Sequence, residues 1–315
     1  MLILGVGAFS VTDAVAAVGW FAVLGKAVPA DRRGRLLGVA TSLGSLTAVG
    51  AGAAVQVVLA RAPYPGNYAL LILLATVFLC GCVVSISLLQ EPRGSGARDE
   101  LHLSWRRYLP YALSILRTDA RFAWLTFTGW LSGLADMASA FYVLYATGQM
   151  GLPESMIGLF VSAGVAGGLL CGLLGPLGDR KGCAKVITLV VALRCLCPAL
   201  ALAAPLLVGI HPWLVPGAFT AIFLIQGIVY GSYMVGGMNY LLQIAPPGER
   251  STYVALSNTL SGVLLLAPMA AGWIVQAASY EALFALALLA SVLALLLALG
   301  GPGWVAAHWY RRVAL

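Results

Sequence analysis

Two aspartates sit where carboxylates are costly. Asp13 lies midway along the apolar run Leu2 to Gly25, and Asp136 midway along the run Ala123 to Thr147. A charged side chain inside an apolar helix marks a functional site by default, and the chemistry open to either carboxylate is binding a cationic group or cycling a proton. The bland alternative is a neutral carboxyl hydrogen-bonded to a neighbour such as Thr12 or Ser139. Hydrogen-bonding side chains recur on the run Trp213 to Ile244. Gln226, Tyr230 and Tyr233 follow helical spacing, and Asn239 stands one turn from Gln243, so these groups line a polar cavity or bridge helices. Arg194 lies inside the run Val186 to Val208, where packing within the protein or snorkelling to the interface is expected before solute contact. Histidine occurs only at 102, 211 and 308, and the sequence holds no metal-ligand spacing, nucleophile elbow or phosphate loop. No enzyme, metal or cofactor is expected.

The elements that must position these groups follow from composition. Of 315 residues, 61% are hydrophobic and 9% charged, against roughly 45–50% and about 25% in soluble domains. That excludes a water-soluble globule. Nine apolar runs recur: Leu2 to Gly25, Leu36 to Leu59, Tyr68 to Leu89, Ala123 to Thr147, Ser155 to Pro176, Val186 to Val208, Trp213 to Ile244, Tyr253 to Ala277 and Ala282 to Leu299. A spanning helix needs about 20 such residues, and the runs lack the alternation of a β-barrel. The expected fold class is an all-α, multi-pass integral membrane bundle of about nine transmembrane helices. The net charge of +7 resides in short connectors, which reads as topology and excludes a nucleic-acid footprint. The six cysteines read as small apolar residues on helices, not as ligands. Trp124 and Trp130, with Trp105 and Tyr108 before them, read as headgroup anchors.

All lysines and arginines except Arg61 and Arg194 fall on alternate connectors. The positive-inside rule makes that side cytoplasmic and places the C-terminus there. The chain also repeats itself. Pro29-x-Asp31-Arg32 matches Pro247-x-Glu249-Arg250, with Arg32 and Arg250 standing 218 residues apart, and the same offset pairs Gly44 with Gly262 and Ala53 with Ala271. Helices one, two and three thus correspond to seven, eight and nine in the same orientation, a parallel repeat of two bundles, three helices plus six. The expected organisation is residues 1–90 as an N-terminal three-helix remnant, 91–121 as a cytoplasmic connector, 122–304 as a six-helix bundle and 305–315 as a cytoplasmic tail. The repeat partner of Arg121 would lie about 100 residues before Met1, so three helices are expected to be missing from the first bundle. Small residues recur on one face of helix two (Gly44, Ala48, Gly52) and of helix five (Gly164, Gly168, Gly172), and are expected to form the seam between bundles.

One connector reads Gly175-Pro-Leu-Gly178-Asp179-Arg180-Lys181-Gly182-Cys183-Ala184-Lys185. Glycines permit a tight turn, the aspartate can face a helix N-terminus, and the basic residues can meet helix C-termini. The run resembles the cytoplasmic-loop signature of the major facilitator superfamily, Gly-x-x-x-Asp-Arg-x-Gly followed by basic residues. By that resemblance the nine helices correspond to the family's helices four to twelve. The resemblance implies secondary transport of a small organic solute by alternating access across the plasma membrane, with proton coupling through Asp13 or Asp136. It also implies a gating role for Gly175, Gly178, Asp179, Arg180, Gly182 and Lys185, and makes Asp31, Arg32, Glu249 and Arg250 repeat-related loop residues. It puts Asp13, Asp136, Gln226, Tyr230 and Asn239 on helices lining the central cavity. The partners implied are a small-molecule substrate and the lipid bilayer. The alternative from a different class is a non-transporting, N-terminally shortened fragment of such a carrier.

Overall fold

The computed structural model describes residues 12, 16–17, 19–21, 23–25, 27–61, 63, 65–88 and 105–313. Among these there is no strand, and six helices are long and apolar enough to cross a membrane. Asp13, and with it the expectation attached to it, lies outside the described residues, as does most of the connector before Trp105. The side chains of Trp105 and Tyr108 also lie outside them.

Helix α1, Ala30–Arg61, starts directly after Pro29 and stops before Pro63 and Pro65. Proline suits a helix entry and cannot continue one, which sets both ends. Helix α2, Gly66–Ser87, has a mean hydropathy of 2.8 and none of its most apolar window is buried in protein. Side chains such as Ile72, Phe78 and Val83 face outward, as they do in a helix solvated by lipid. Within the stretch read as a polar connector the structure places an amphipathic helix, α3, Trp105–Thr118, whose Ile115 is buried. Asp119 then caps the next helix, its Oδ1 accepting from the backbone N–H of Arg121 and Phe122, while its Oδ2 accepts from the Tyr253 hydroxyl at 2.8 Å. An uncapped start costs about 1 kcal/mol, so this carboxylate both begins a helix and ties the connector to the bundle.

The bundle itself has six rods. Helix α4, residues 120–148, is two α-helical halves, Ala120–Ala135 and Phe141–Gly148, joined through a 3-10 turn at Asp136–Ala138. Next come α5, Glu154–Lys181, and α6, Cys183–Leu207, separated by Gly182 alone. Helix α7, Leu214–Ile244, contains a π turn at Tyr233–Met238. The last two are α8, Arg250–Ala277, and α9, Tyr280–Gly303. Helix continues to Val313 beyond a kink at Gly301, where φ is 67° ahead of Pro302.

Pairing runs α4 with α9, α5 with α7, and α6 with both α7 and α9. At the end away from the basic connectors, Tyr142, Tyr145, Phe160, Phe219 and Phe284 pack together, with Tyr142 stacked on Phe284 at 5.1 Å. At the basic end Trp124 is fully buried, edge-on to Tyr240, and its indole N–H donates to the Leu297 carbonyl at 3.0 Å. This corrects the reading of Trp124 as a headgroup anchor. A buried indole needs an acceptor, and α9 supplies one. Trp130, half-buried, likewise donates to the Leu260 carbonyl of α8.

Candidate functional site

Two places collect the side chains that could work, and the first is the seam between α1 and α5. Gly34 and Gly38 of α1 lie against Gly175 and Gly172 of α5 so closely that a Cβ on Gly175 would sit 2.5 Å from the Gly34 carbonyl. Further along, contact passes to hydroxyls. Ser42 donates to the Leu169 carbonyl at 2.8 Å and Ser45 lies against Gly168. Beyond Ser45 the helices part, leaving Val49 52% and Val161 61% exposed.

The seam corrects half of the expected small-residue pattern. Gly168 and Gly172 do face α1, but Gly44 and Gly52 have nothing near them, and Gly164 faces α7. The working face of α1 is Gly34, Gly38, Ser42 and Ser45. Serines were not counted as small there, although small-xxx-small contact admits them.

Asp179 closes this seam at its basic end. Its two carboxylate oxygens accept from the backbone N–H groups of Gly34 at 3.0 Å and Arg35 at 2.8 Å, in the first turns of α1. These are the fifth and sixth residues of α1, just past the unpaired N–H groups of its first turn, so the carboxylate shares N–H groups near the positive end of the helix. Gly178 packs against Val186 and Cys183, and Gly182 takes φ 90°, a conformation L side chains rarely adopt, to turn α5 into α6. Arg180 and Lys185 are exposed.

Arginines tie the same end together. Arg250, at the start of α8, donates to the Gly25 carbonyl at 2.6 Å, and Arg33 donates to Gly25 and Val28 carbonyls from a position 2% exposed. Arg32, the repeat partner of Arg250, does nothing comparable. It is exposed and stands 4.0 Å from the equally exposed Asp31. Glu249 precedes α8 without a side-chain cap. Sequence reasoning missed Arg33, counting it only as one more connector charge. Asn239, fully buried, also belongs here, because a Cβ on Gly34 would lie 3.1 Å from its amide nitrogen.

The second place lies inside the six-rod bundle. Asp136, at the 3-10 break of α4, accepts from Arg194 of α6 at 2.6 Å, and the same Nη1 reaches the Ser132 carbonyl at 2.5 Å. Partnership with Arg194 replaces the expected contact with Ser139 as what holds the carboxylate. The break in the helix and the arginine belong together, since the 3-10 turn brings the Ser132 carbonyl and the Asp136 carboxylate to one guanidinium. A small cleft beside the pair is lined by Asp136, Ser139, Tyr142, Arg194, Gln226 and Tyr230. Three of the five residues singled out by sequence therefore meet, while Asn239 stands at the seam.

On the other side of Arg194 is a cavity of about 130 Å³ between α4, α6, α7 and α8. Its polar wall includes Thr128, Ser132, Ser232, Ser257 and Ser261, and the π turn contributes Tyr233, Gly236, Gly237 and Met238. π turns concentrate at functional sites because they offset a helix locally. The described residues hold no group of His, Cys, Asp and Glu able to bind a metal. What the arrangement can do is hold a polar solute and exchange a proton or an ion-pair partner.

A comparison with curated proteins found no match. The family model described as Major Facilitator Superfamily matches residues 1–264 and 173–303, most of the chain. The chain belongs to the Major Facilitator Superfamily, and is accordingly a multi-pass membrane carrier of solutes and not an enzyme.

Proposed function

We propose that the chain carries a small organic solute by alternating access, with the basic end of the bundle facing the cytoplasm across the plasma membrane and proton exchange at Asp136. The observation that carries this reading is the Asp179 carboxylate bonded across the seam to the Gly34 and Arg35 N–H groups. Such a contact links two bundles without fusing them. It is strong enough to hold one end shut, since a charge-assisted bond contributes about 1.5–3 kcal/mol, and it can be remade after parting. Its neighbours along the seam are hydroxyls and glycines rather than interlocked side chains, and the helices diverge beyond Ser45. On this reading the basic end is the closed one.

Arg194 already occupies the Asp136 carboxylate, which leaves no place for a solute cation, and a proton can take that place only when Arg194 gives up the bond. Gln226 and Tyr230 supply the hydrogen-bonding groups next to that pair. Asp13 keeps the same proposed role on the first helix.

The test is a disulfide across the seam in the full chain. Ser45→Cys with Gly168→Cys, in a background free of the other cysteines, should crosslink when the basic end is closed and should abolish solute counterflow in liposomes until reduced. Undiminished counterflow by the locked protein would overturn alternating access at this seam. For the proton, Asp136→Asn should flatten the pH dependence of transport, and an unchanged profile would remove Asp136 from coupling.

A further inference from the structure

Where α4, α6 and α9 meet at the basic end, the outer surface of the bundle is not smooth. A groove of about 480 Å³ opens there between α6 and α9. Its floor is Trp124 and Ala298, both buried, and its sides are Leu189 and Leu299, 40% and 66% exposed. That volume falls within the roughly 300–1,000 Å³ of ligand pockets. Gly301, where φ is 67°, breaks the line of α9 and bounds the groove at that end.

The groove continues as an apolar track. Leu196 lies two turns beyond Leu189 on the same face of α6, and Leu296 and Val292 share the face of Leu299 on α9; all are exposed. From Lys185 to Leu196 a helix rises about 16 Å, close to the roughly 15 Å of hydrocarbon in one leaflet. An acyl chain fits such a track end to end. In a bilayer some chain fills it whatever the lipid, so selection comes from the polar end.

That end is cationic and open. Lys185 is the only charged residue lining the groove, it is exposed, and among the described residues its ammonium has no ion-pair partner. Arg121, also exposed, stands one turn before Trp124 on α4. The other polar groups are already bonded: the Trp124 indole donates to the Leu297 carbonyl, and the Thr188 hydroxyl to the Ala184 carbonyl at 3.1 Å. A zwitterionic headgroup brings an ammonium of its own toward these cations, and an anionic one does not. Basic pockets between membrane helices select anionic headgroups for that reason. We infer that this groove binds one anionic phospholipid, with its acyl chain along α6 and α9, its phosphate on Lys185, and Arg121 adding attraction from α4.

The experiment is native mass spectrometry of the purified full chain in detergent, titrated with phosphatidylglycerol and with phosphatidylcholine of identical acyl chains. One phosphatidylglycerol should be retained per chain, with an affinity about fivefold or more above that of phosphatidylcholine, the effect of one cation at the headgroup. Lys185→Gln should remove that preference. Arg32→Gln takes the same charge from the same end, but from α1 and outside the groove, and should leave the preference within about twofold. Leu189→Trp tests the groove apart from its charge. Side chains on a helix lean toward its N-terminus, here toward Lys185, so the indole should fill the groove and abolish preferential retention while thermal unfolding without lipid stays that of the wild type.

Equal retention of the two lipids by the wild type would overturn the assignment, as would an unchanged preference in Lys185→Gln. Wild-type retention by Leu189→Trp would overturn the location, and an equal loss in Arg32→Gln would reduce the site to the general charge of that end. Competition by glycerol 3-phosphate would show a site for free phosphate instead. A two-chain species lost in Leu189→Trp would show that a second copy seats in the groove, and would equally overturn the lipid. None of these readouts uses the seam or the ion pair, so lipid binding and transport can fail separately.

Discussion

Gly167 and Gly168 are neighbours on α5 and face different helices. A Cβ on Gly167 would land on the main chain of α7, at the Leu224 carbonyl, Ile228 N and Gly227 Cα. One on Gly168 would meet only the Ser45 side chain. Within the bundle, then, helix meets helix backbone to backbone, and the pair α5–α7 cannot part without losing that packing. Across the seam the middle of the contact is made by hydroxyls that turn on a single bond. The difference teaches that main-chain packing holds the bundle together, while the middle of the seam is held by side chains that can turn without moving the main chain. The seam is itself graded, because at Gly34 and Gly175 it tightens to main-chain contact just where Asp179 binds.

The comparison can be broken most directly at Gly167. Gly167→Val should overpack the α5–α7 contact by about 3 kcal/mol or more. Little monodisperse protein should be recovered on size exclusion; a well-folded variant would show that the bundle yields as the seam does. Gly175→Ala tests the tight end of the seam. It should leave thermal unfolding of the bundle close to wild type, yet push the basic end apart by about 1–3 kcal/mol. Spin-label distances across the seam should lengthen in most molecules. Asp179→Asn removes the charge and keeps the shape, so about 1–2 kcal/mol of latch energy should go, a five- to thirtyfold shift toward the open end by the same measurement. The smallest effect is expected at Gly168→Ala. Ser45 can rotate away, so stability should change by under about 0.5 kcal/mol and transport by less than twofold; a large loss would mean the seam is as rigid as the bundle.

Much of the architecture was legible because lipid makes the pattern simple. Among the described residues the apolar runs became helices within about two turns of their expected ends, and the alternation of charged connectors marked one end of the bundle. Where side chains point inside an apolar bundle was not legible, since every face reads alike. Trp124 looked like an anchor because indoles favour interfaces, and only the Leu297 carbonyl on a distant helix explains its burial. The pairing of Asp136 with Arg194 joins residues on different helices, and no local spacing announces it. The break of α4 at Asp136 was equally silent, having no proline or glycine at that residue. Gln226 and Tyr230 share one face by simple helical spacing, but the cleft they line lies inside the six-rod bundle and not between two bundles. Asn239 does not share that face, because it stands nine residues beyond Tyr230, which on a helix of about 3.6 residues per turn is the opposite side. The contact made by Asp179 was the most readable element, since it needs only a turn, a carboxylate and a nearby helix start.

Helix α2 carries a practical consequence. Its surface is turned almost wholly to hydrocarbon, and two exposed thiols, Cys80 and Cys82, sit on it. Spaced two apart on a helix, they point to different sides, away from both the seam and the ion pair. Charged reagents cannot follow them into the bilayer, whereas apolar ones can. Fluorophores or paramagnetic tags placed there would read depth and lipid order, giving the carrier a built-in gauge of the membrane around it that is silent to the solute it moves.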